Sequence, residues 1–158
     1  MGGDGQVTLD RTVVKQGAKK VRRLAGGSVI AGFAGSAADA FALLGRFEDK
    51  LAEHQGQLDR ASVELVRDWR TDRALRRLEA MLLVADRKAT FLLSGTGDLI
   101  EPDDGVVGIG SGAVAAIAAA RALLRHTNLA PAALVAEAMT IAAGLDLYTN
   151  DALTIEEL

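Results

Sequence analysis

Cysteine is absent from the 158 residues, and aromatic side chains make up only 4% of them. Without cysteine, the chain has no disulfide, no thiolate metal site and no cysteine nucleophile. The net charge of −3 gives no electrostatic reason to expect nucleic acid as a partner. We expect no signal peptide, because Met1 leads straight into glycines. The longest stretch with little charge, 106–120, is interrupted by glycines and too short to span a bilayer. We therefore expect a cytoplasmic protein without membrane or nucleic-acid partners.

Small apolar residues take the place of the missing types, and 49% of the residues are hydrophobic. A chain of this length buries a sizeable core and has the size of one domain. We therefore expect a single domain over residues 1–158, with alanine-rich helices.

Helical periodicity and strand patterns occur in blocks along the chain. We predict strands at 6–9, 12–14, 19–24, 28–34, 80–85, 90–94, 99–101, 106–109, 145–149 and 153–155, and helices at 37–54, 58–76, 113–126 and 131–144. Strands and helix pairs do not alternate as βαβ units, which disfavours a doubly wound parallel sheet. The order predicts an α+β fold, a four-layer αββα sandwich.

Several details of these helices follow from single residues. Ser36 is predicted to cap the first helix, with Asp39 completing the cap. The predicted inward face of the first helix is Phe41, Leu44, Phe47 and Leu51, and that of the second is Leu58, Ala61, Leu65 and Trp69. Four arginines of the second helix region alternate with acids, which is typical of a solvated, ion-paired face: Arg67, Arg70, Arg73 and Arg77.

Few residues have patterns that indicate chemistry by themselves. Asp4 lies in a Gly-Asp-Gly turn, and Lys20 lies in the basic segment 19–23; alone, these are an ordinary turn and a solvated strand lysine. Ser111 stands between two glycines, but it does not fit the Gly-x-Ser-x-Gly nucleophile elbow and is expected to cap the third helix. No HExxH pair occurs, which disfavours a catalytic zinc, and no GxxxxGK[ST] loop for ATP is present.

Three segments together resemble a known family: GGDGQVTL at 2–9, KKVRRL at 19–24 and AGFAGSAAD at 31–39. They are similar to the HslV peptidases, N-terminal-nucleophile hydrolases related to proteasome β-subunits, and the resemblance extends from Gly2 to Leu158. It implies that Asp4 and Lys20 flank an N-terminal threonine nucleophile. The lysine ammonium would lower the pKa of neighbouring groups, while the carboxylate holds the lysine. The free α-amine of the threonine would be the general base.

The same resemblance implies roles for further residues. The N–H of Gly35 would bind the oxyanion, although Ser36 stands where the family often has a second glycine. Ser111 would be a hydrogen-bonding partner near the α-amine. Val7 and Thr8 would pair with an extended substrate, although they also fit ordinary strand positions. The carbonyls of Ala143, Asp146 and Thr149 would bind a sodium ion, although this segment also fits a simple helix-to-strand turn.

Partners follow from the resemblance too. It implies a homo-oligomer, a double hexameric ring, to which an HslU-type AAA+ unfoldase delivers unfolded protein. No cofactor is required for the chemistry, and ATP is used by the unfoldase. The family's threonine-initiated hairpin precedes the Gly-Asp-Gly turn, so the chain as written would lack that hairpin and its nucleophile, and we expect it to be inactive. Two alternatives are a non-catalytic ring subunit and an unrelated helix-covered binding domain, which would be a monomer or dimer.

Overall fold

Strand pairing and helix packing divide the chain into two units. The computed structural model describes residues 1–72, 79–94 and 96–158. The first unit combines Met1–Arg22 with Val106–Glu157, and the second comprises Arg23–Gly105 together with Leu158. The strands are β1 (Gly2–Gly3), β2 (Val7–Leu9), β3 (Thr12–Lys15), β4 (Val21–Leu24), β5 (Val29–Gly35), β6 (Ala80–Ala85), β7 (Thr90–Ser94), β8 (Leu99–Ile100) and β9 (Thr154–Ile155). The helices are α1 (Ala37–Glu53), α2 (Leu58–Thr71), α3 (Ala113–His126) and α4 (Pro131–Ala143).

The second unit contains a five-stranded sheet in the order β4-β5-β6-β7-β8, with α1 and α2 packed against it. The continuous apolar start of β5 is buried as predicted, from Val29 to Gly32. The hairpin of β6 and β7 has the predicted bounds, and Asp86 closes its turn by accepting bonds from the N–H groups of Lys88 and Ala89. A single apolar cluster joins this sheet to both helices.

The buried face of α1 differs from the prediction at one position. Leu44, Phe47 and Leu51 are buried as expected, but Phe41 is 49% exposed. Ala40 and Leu43 complete the buried face instead. Phe41 lies at the edge of this face, where its ring contacts Phe33 at a centroid distance of 5.3 Å. The buried stripe is thus shifted by one residue at the start of the helix.

On α2 the predicted inward residues are all buried, namely Leu58, Ala61, Leu65 and Trp69. The ion-paired face is present as well: Arg67 bonds Glu64 at 2.9 Å, while Lys50 of α1 reaches Asp68 at 3.1 Å. The helix was predicted to continue to Arg76, and it ends at Thr71. Arg73 and Arg77 lie outside the described residues.

In the first unit, β1 pairs with β9 and β2 pairs with β3, while α3 packs on α4. Both helices have nearly the predicted bounds, and their contact is made by Ala120, Leu134 and Ala138. The strand predicted at 106–109 is not formed. Val106 packs against the helix cluster instead, so the apolar pattern there reflects burial without strand pairing. Among the described residues, no helix has the length and hydropathy needed to cross a bilayer.

The strand predicted at 145–149 is also wrong. This segment is a turn, because the N–H groups of Leu145 and Asp146 both donate to the carbonyl of Ala142 at the end of α4. Thr149 N then donates to Asp146 O at 3.3 Å, which closes a second turn. The resulting compact segment follows α4 directly and carries several polar side chains.

Candidate active site

Asp4 and Lys20 form an ion pair in the first unit. Lys20 Nζ donates to Asp4 Oδ1 at 2.8 Å, and the two side chains are only 23% and 11% exposed. The other carboxylate oxygen, Oδ2, accepts the backbone N–H of Gln6 at 2.8 Å. Both oxygens of Asp4 are therefore engaged, which holds the lysine ammonium at one position in a partly desolvated environment, where its field is screened less than at the surface.

The turn predicted at the Gly-Asp-Gly segment is wrong, because Gly2 and Gly3 form β1 and pair with β9. The segment is held against the loop that leads to Lys20. Ala18 N donates to Gly5 O at 2.9 Å. The α-carbon of Gly5 also lies so close to this loop that a β-carbon there would stand 2.2 Å from the carbonyl oxygen of Gln16. Only glycine allows this approach. The glycine pattern seen in the sequence thus serves to bring the carboxylate and the lysine together.

Ser111 and Thr149 converge on the carboxylate of Asp146. Ser111 Oγ donates to Asp146 Oδ2 at 2.6 Å, and Thr149 Oγ1 donates to the same oxygen at 2.5 Å. The predicted capping role of Ser111 is wrong, since Gly112 occupies the cap position of α3 and Ser111 bonds a residue 35 positions away. Ser111 thus bonds a carboxylate, and its role near the α-amine stays a prediction.

The charge of Asp146 is stabilised at this site. Burial alone would raise the pKa of its carboxyl group. Hydrogen bonds from Ser111, Thr149 and the backbone of Tyr148, together with the positive charge of Lys20, outweigh burial and hold the pKa below its ordinary value of 3.8. Lys20 therefore acts electrostatically on two carboxylates of the first unit, Asp4 by contact and Asp146 through its field.

Gln6 links these two groups, although no motif in the sequence assigns it a role. Its Nε2 donates to Thr8 Oγ1 at 3.0 Å and to the carbonyl of Leu147 at 2.8 Å. Gln6 is buried, and its amide joins β2 to the turn that carries Asp146. Burial of this glutamine is visible only in the fold, and its position directly after Gly-Asp-Gly is too ordinary in sequence to indicate the role.

Val7 and Thr8 lie on β2 and are both half-buried. Within the described residues, β2 pairs with β3 alone. Ala143 ends α4, and Asp146 and Thr149 belong to the turn that follows it. Only the backbone carbonyls of Asp146 and Thr149 were predicted to be functional. Their side chains are polar groups of this turn as well: the Asp146 carboxylate accepts hydrogen bonds from both Ser111 and Thr149.

Gly35 lies at the end of β5 in the second unit. Its φ of +106° favours glycine, and a β-carbon would stand 2.3 Å from Glu79 O. Ser36 N donates to Glu79 O at 2.9 Å, which makes Gly35 and Ala80 a non-hydrogen-bonded pair of the antiparallel ladder. The N–H of Gly35 therefore points away from β6. The predicted cap at Ser36 makes no side-chain bond, and Asp39 accepts the N–H of Glu79 instead.

The N–H of Gly35 points to the side of β5 on which β4 lies. β4 has four residues against the seven of β5, and the short connection Ala25–Gly27 joins the end of β4 to the start of β5. A connection this short makes the two strands antiparallel, so β5 extends beyond β4 at its Gly35 end. A donor at this extension has the geometry needed to bind an acceptor from outside the sheet.

Comparison with known proteins decides the family. The model of the proteasome family, described as proteasome subunit, matches residues 1–158. The chain belongs to the proteasome family. Its structure is similar to the crystal structure of eukaryotic HslV from Trypanosoma brucei, with a TM-score of 0.92 and 46% sequence identity over 98% of this chain and 90% of that chain.

These findings confirm the resemblance to HslV and proteasome β-subunits that the three sequence segments carried. They also confirm the fold class, the α+β sandwich of the proteasome-type N-terminal-nucleophile hydrolases. The segments 106–109 and 145–149 form no strands, and their loss from the prediction leaves this fold class unchanged.

The lowered pKa of Asp146 predicts a pH dependence of stability. A carboxyl group whose pKa is lower in the folded chain stabilises the fold above its unfolded pKa, and this contribution is lost as the pH falls through the folded pKa. Asp146→Asn should therefore lower the free energy of unfolding near pH 6, and the difference from wild type should shrink towards about pH 2. Denaturant unfolding over this pH range measures both chains.

Asp10→Asn is the matched control, because Asp10 is an exposed residue of the β2–β3 turn in the same unit. It should keep the wild-type pH profile. A wild-type profile for Asp146→Asn as well would contradict the stabilisation of this carboxylate by Ser111, Thr149 and Lys20.

Proposed function

We propose that residues 1–158 belong to the proteolytic subunit of an ATP-dependent protease, and that this subunit cleaves peptide bonds with an N-terminal threonine. The observation that carries the proposal is the partly buried ion pair of Lys20 and Asp4, in a chain of the proteasome family. The nucleophile is a threonine at the start of the hairpin that precedes the Gly-Asp-Gly segment in the HslV family. This hairpin, placed before Gly2, defines what we call the threonine-started form.

In this mechanism the α-amine of the threonine takes the proton of its own hydroxyl, and the hydroxyl oxygen attacks the substrate carbonyl. The ammonium of Lys20 favours the neutral amine, because a neighbouring positive charge disfavours protonation. The N–H of Gly35 donates to the oxyanion of the tetrahedral intermediate. The protonated amine then gives its proton to the leaving nitrogen, and water hydrolyses the acyl ester to free the threonine.

The hydrogen-bond network of Ser111, Asp146 and Thr149 fixes the groups that surround the α-amine of the threonine. Hydrogen bonds from Ser111 and Thr149 keep Asp146 ionised. The fixed carboxylate of Asp146 in turn attracts and orients the ammonium of Lys20. These residues act on the base through hydrogen bonds and charge, and they form no bond to the substrate.

Substrate binding is assigned to β2. Because β2 pairs only with β3 in the described part of the chain, its second edge can accept an extended peptide. Main-chain hydrogen bonds of Val7 and Thr8 would hold such a peptide without selecting its side chains. The bond from Gln6 to the Thr8 hydroxyl fixes one side chain at this edge.

A sodium ion fits the end of α4 by the chemistry of the donors. The carbonyl of Ala143 lies in the last turn of α4, where carbonyls have no helical partner, and the carbonyls of Asp146 and Thr149 follow in the turn after it. The Asp146 carbonyl accepts the N–H of Thr149 and has a second lone pair for a ligand, and carbonyl oxygen is a ligand that hard cations accept. We assign the ion to the carbonyls of Ala143, Asp146 and Thr149, where it would stabilise the turn that presents Asp146. In the described part of the chain, no three histidine, cysteine or acidic side chains form a metal cluster.

The proposal includes a double hexameric ring and an HslU-type AAA+ unfoldase that uses ATP to deliver unfolded protein. Native mass spectrometry of the threonine-started form should detect a dodecamer or a hexamer. Degradation of a labelled unfolded protein should require this form, the unfoldase and ATP. A monodisperse monomer would contradict the ring. A ring without hydrolysis in the presence of both partners would indicate a non-catalytic subunit.

A further inference from the structure

The side chain of Asn150 joins three backbone segments of the first unit. Its Oδ1 accepts the N–H of Gly5 at 3.0 Å and the N–H of Ala152 at 3.3 Å. Its Nδ2 donates to the carbonyl of Gln16 at 3.0 Å. One carboxamide thus connects residues that are 145 and 134 positions away from it in the chain.

The orientation of this amide is determined by its partners. Two N–H groups point at one end and a carbonyl oxygen lies at the other, so exchanging oxygen and nitrogen would place donor against donor and acceptor against acceptor. Both ends of the carboxamide are therefore used. Aspartate offers the acceptor without the donor, and leucine has a similar shape without either.

The segments joined by Asn150 are those that carry the ion pair. Gly5 directly follows Asp4, and Gln16 begins the loop that leads to Lys20. The bond from Ala18 N to Gly5 O joins these two segments directly, and Asn150 bonds both of them from a third side. Asn150 also follows Thr149, whose hydroxyl bonds Asp146.

We propose that Asn150 is a positioning residue for the reaction. By fixing Gly5 and Gln16 at once, it holds the Asp4 carboxylate and the Lys20 ammonium at their distance of 2.8 Å and directs the lysine field towards the reacting amine. This inference rests on the proposed function for its catalytic consequence. A displacement of about 1 Å in a catalytic group can lower the rate about 10²-fold, so a clamp of this kind affects turnover without contacting the substrate.

The test compares Asn150→Ala, Asn150→Asp and Asn150→Leu in the threonine-started form, with kcat and KM measured on a fluorogenic peptide. We expect Asn150→Ala and Asn150→Leu to lower kcat about 10- to 100-fold, with KM changed less than about twofold. Asn150→Asp should recover part of kcat, because it keeps the acceptor for Gly5 and Ala152. Asn128→Ala, at an exposed asparagine of the α3–α4 loop, is the matched control and should retain wild-type values.

Several results would overturn the inference. A kcat for Asn150→Ala within about twofold of wild type would do so, as would a raised KM with unchanged kcat, which indicates uniform substrate binding. Equal losses of kcat in Asn150→Asp and Asn150→Leu would show that the bonds accepted by Asn150 Oδ1 from Gly5 and Ala152 do not support the reaction. If Asn150→Ala fails to assemble, the inference is tested by kcat of Asn150→Asp and Asn150→Leu alone, and it requires the higher kcat in Asn150→Asp.

Amide hydrogen exchange separates this inference from the proposed function. In the 1–158 chain, Asn150→Ala should raise exchange at residues 3–8 and 16–20 about tenfold or more, relative to Asn128→Ala, because opening there costs less. Unchanged exchange would overturn the clamp whatever the activity. Raised exchange together with an inactive threonine-started form would support the clamp and contradict the proposed function.

Discussion

Replacing Lys20 by methionine in the threonine-started form is expected to abolish peptide hydrolysis and leave the ring intact. Methionine keeps the length and flexibility of the lysine stem and removes the charge. Without the ammonium, the α-amine becomes more basic and is protonated at neutral pH, so it cannot take the proton of the threonine hydroxyl. Positioned acid–base catalysis is worth about 10²–10⁴ in rate, and kcat should fall by at least that factor. Hydrolysis of a fluorogenic peptide measures the loss.

Lys19 provides the matched control, since Lys19→Met removes the same charge from an exposed neighbour. It should retain wild-type kcat. Lys20→Arg keeps a charge but places a planar guanidinium where a compact ammonium bonds Asp4, so it should recover little activity. Retention of activity by Lys20→Met, with loss in Lys19→Met, would assign the role to Lys19.

Loss of Lys20 also leaves the Asp4 carboxylate without its cation. Breaking a buried ion pair by removing one partner costs about 3–5 kcal/mol, and this partly exposed pair should cost less. The double variant Asp4→Asn with Lys20→Met removes both charges and should restore stability without restoring hydrolysis. Native mass and the free energy of unfolding, measured beside kcat, then separate a chemical loss from a structural one.

The helices were predicted well from the sequence because their signals are local. Pro131 at the start of α4, Gly144 after its end and the apolar spacing of α2 each depend on residues within a few turns. The strands were predicted less well, because a strand exists only where a partner pairs with it. The segments 106–109 and 145–149 are apolar enough for strands, yet one packs on helices and the other folds into turns.

Predicted caps failed for a related reason. Ser36 and Ser111 both precede helices as a cap should, but neither side chain bonds its helix. A cap requires the serine oxygen to accept a helix N–H, but the hydroxyl of Ser111 is oriented towards the ionised carboxylate of Asp146 and donates a charge-assisted hydrogen bond to it. That acceptor lies 35 positions later in the chain, so no local pattern indicates it.

The residues of the candidate site also differ in whether their signals in the sequence are local. Asp4 and Lys20 lie in short motifs that carry a family resemblance, and their pairing at 2.8 Å joins positions only 16 apart. Gln6 and Asn150 were not identified, since a glutamine after a turn and an asparagine in a polar turn are ordinary in sequence. Their partners lie 141 and 145 positions away, and only the folded chain brings these groups together.

A polypeptide that consists of residues 1–158 and has Met1 at its start is expected to hydrolyse no peptide. The reaction needs a hydroxyl and a free α-amine on the same residue, because the amine is the base for that hydroxyl. Methionine has no nucleophilic oxygen, and neither has Gly2 if the methionine is removed. Thr8 and Thr12 are internal, so their nitrogens are amides and cannot accept the proton.

The hydroxyls of Ser111 and Thr149 cannot replace the nucleophile, since both donate their hydrogen bonds to the carboxylate of Asp146 and Ser111 lacks an elbow. The measurement is turnover of a fluorogenic peptide by this polypeptide, with and without unfoldase and ATP. The threonine-started form is the positive control, and the same form with its threonine replaced by alanine is the negative one. We expect activity at the level of the alanine form, whereas turnover comparable with the threonine-started form would refute the assignment of an N-terminal threonine as nucleophile.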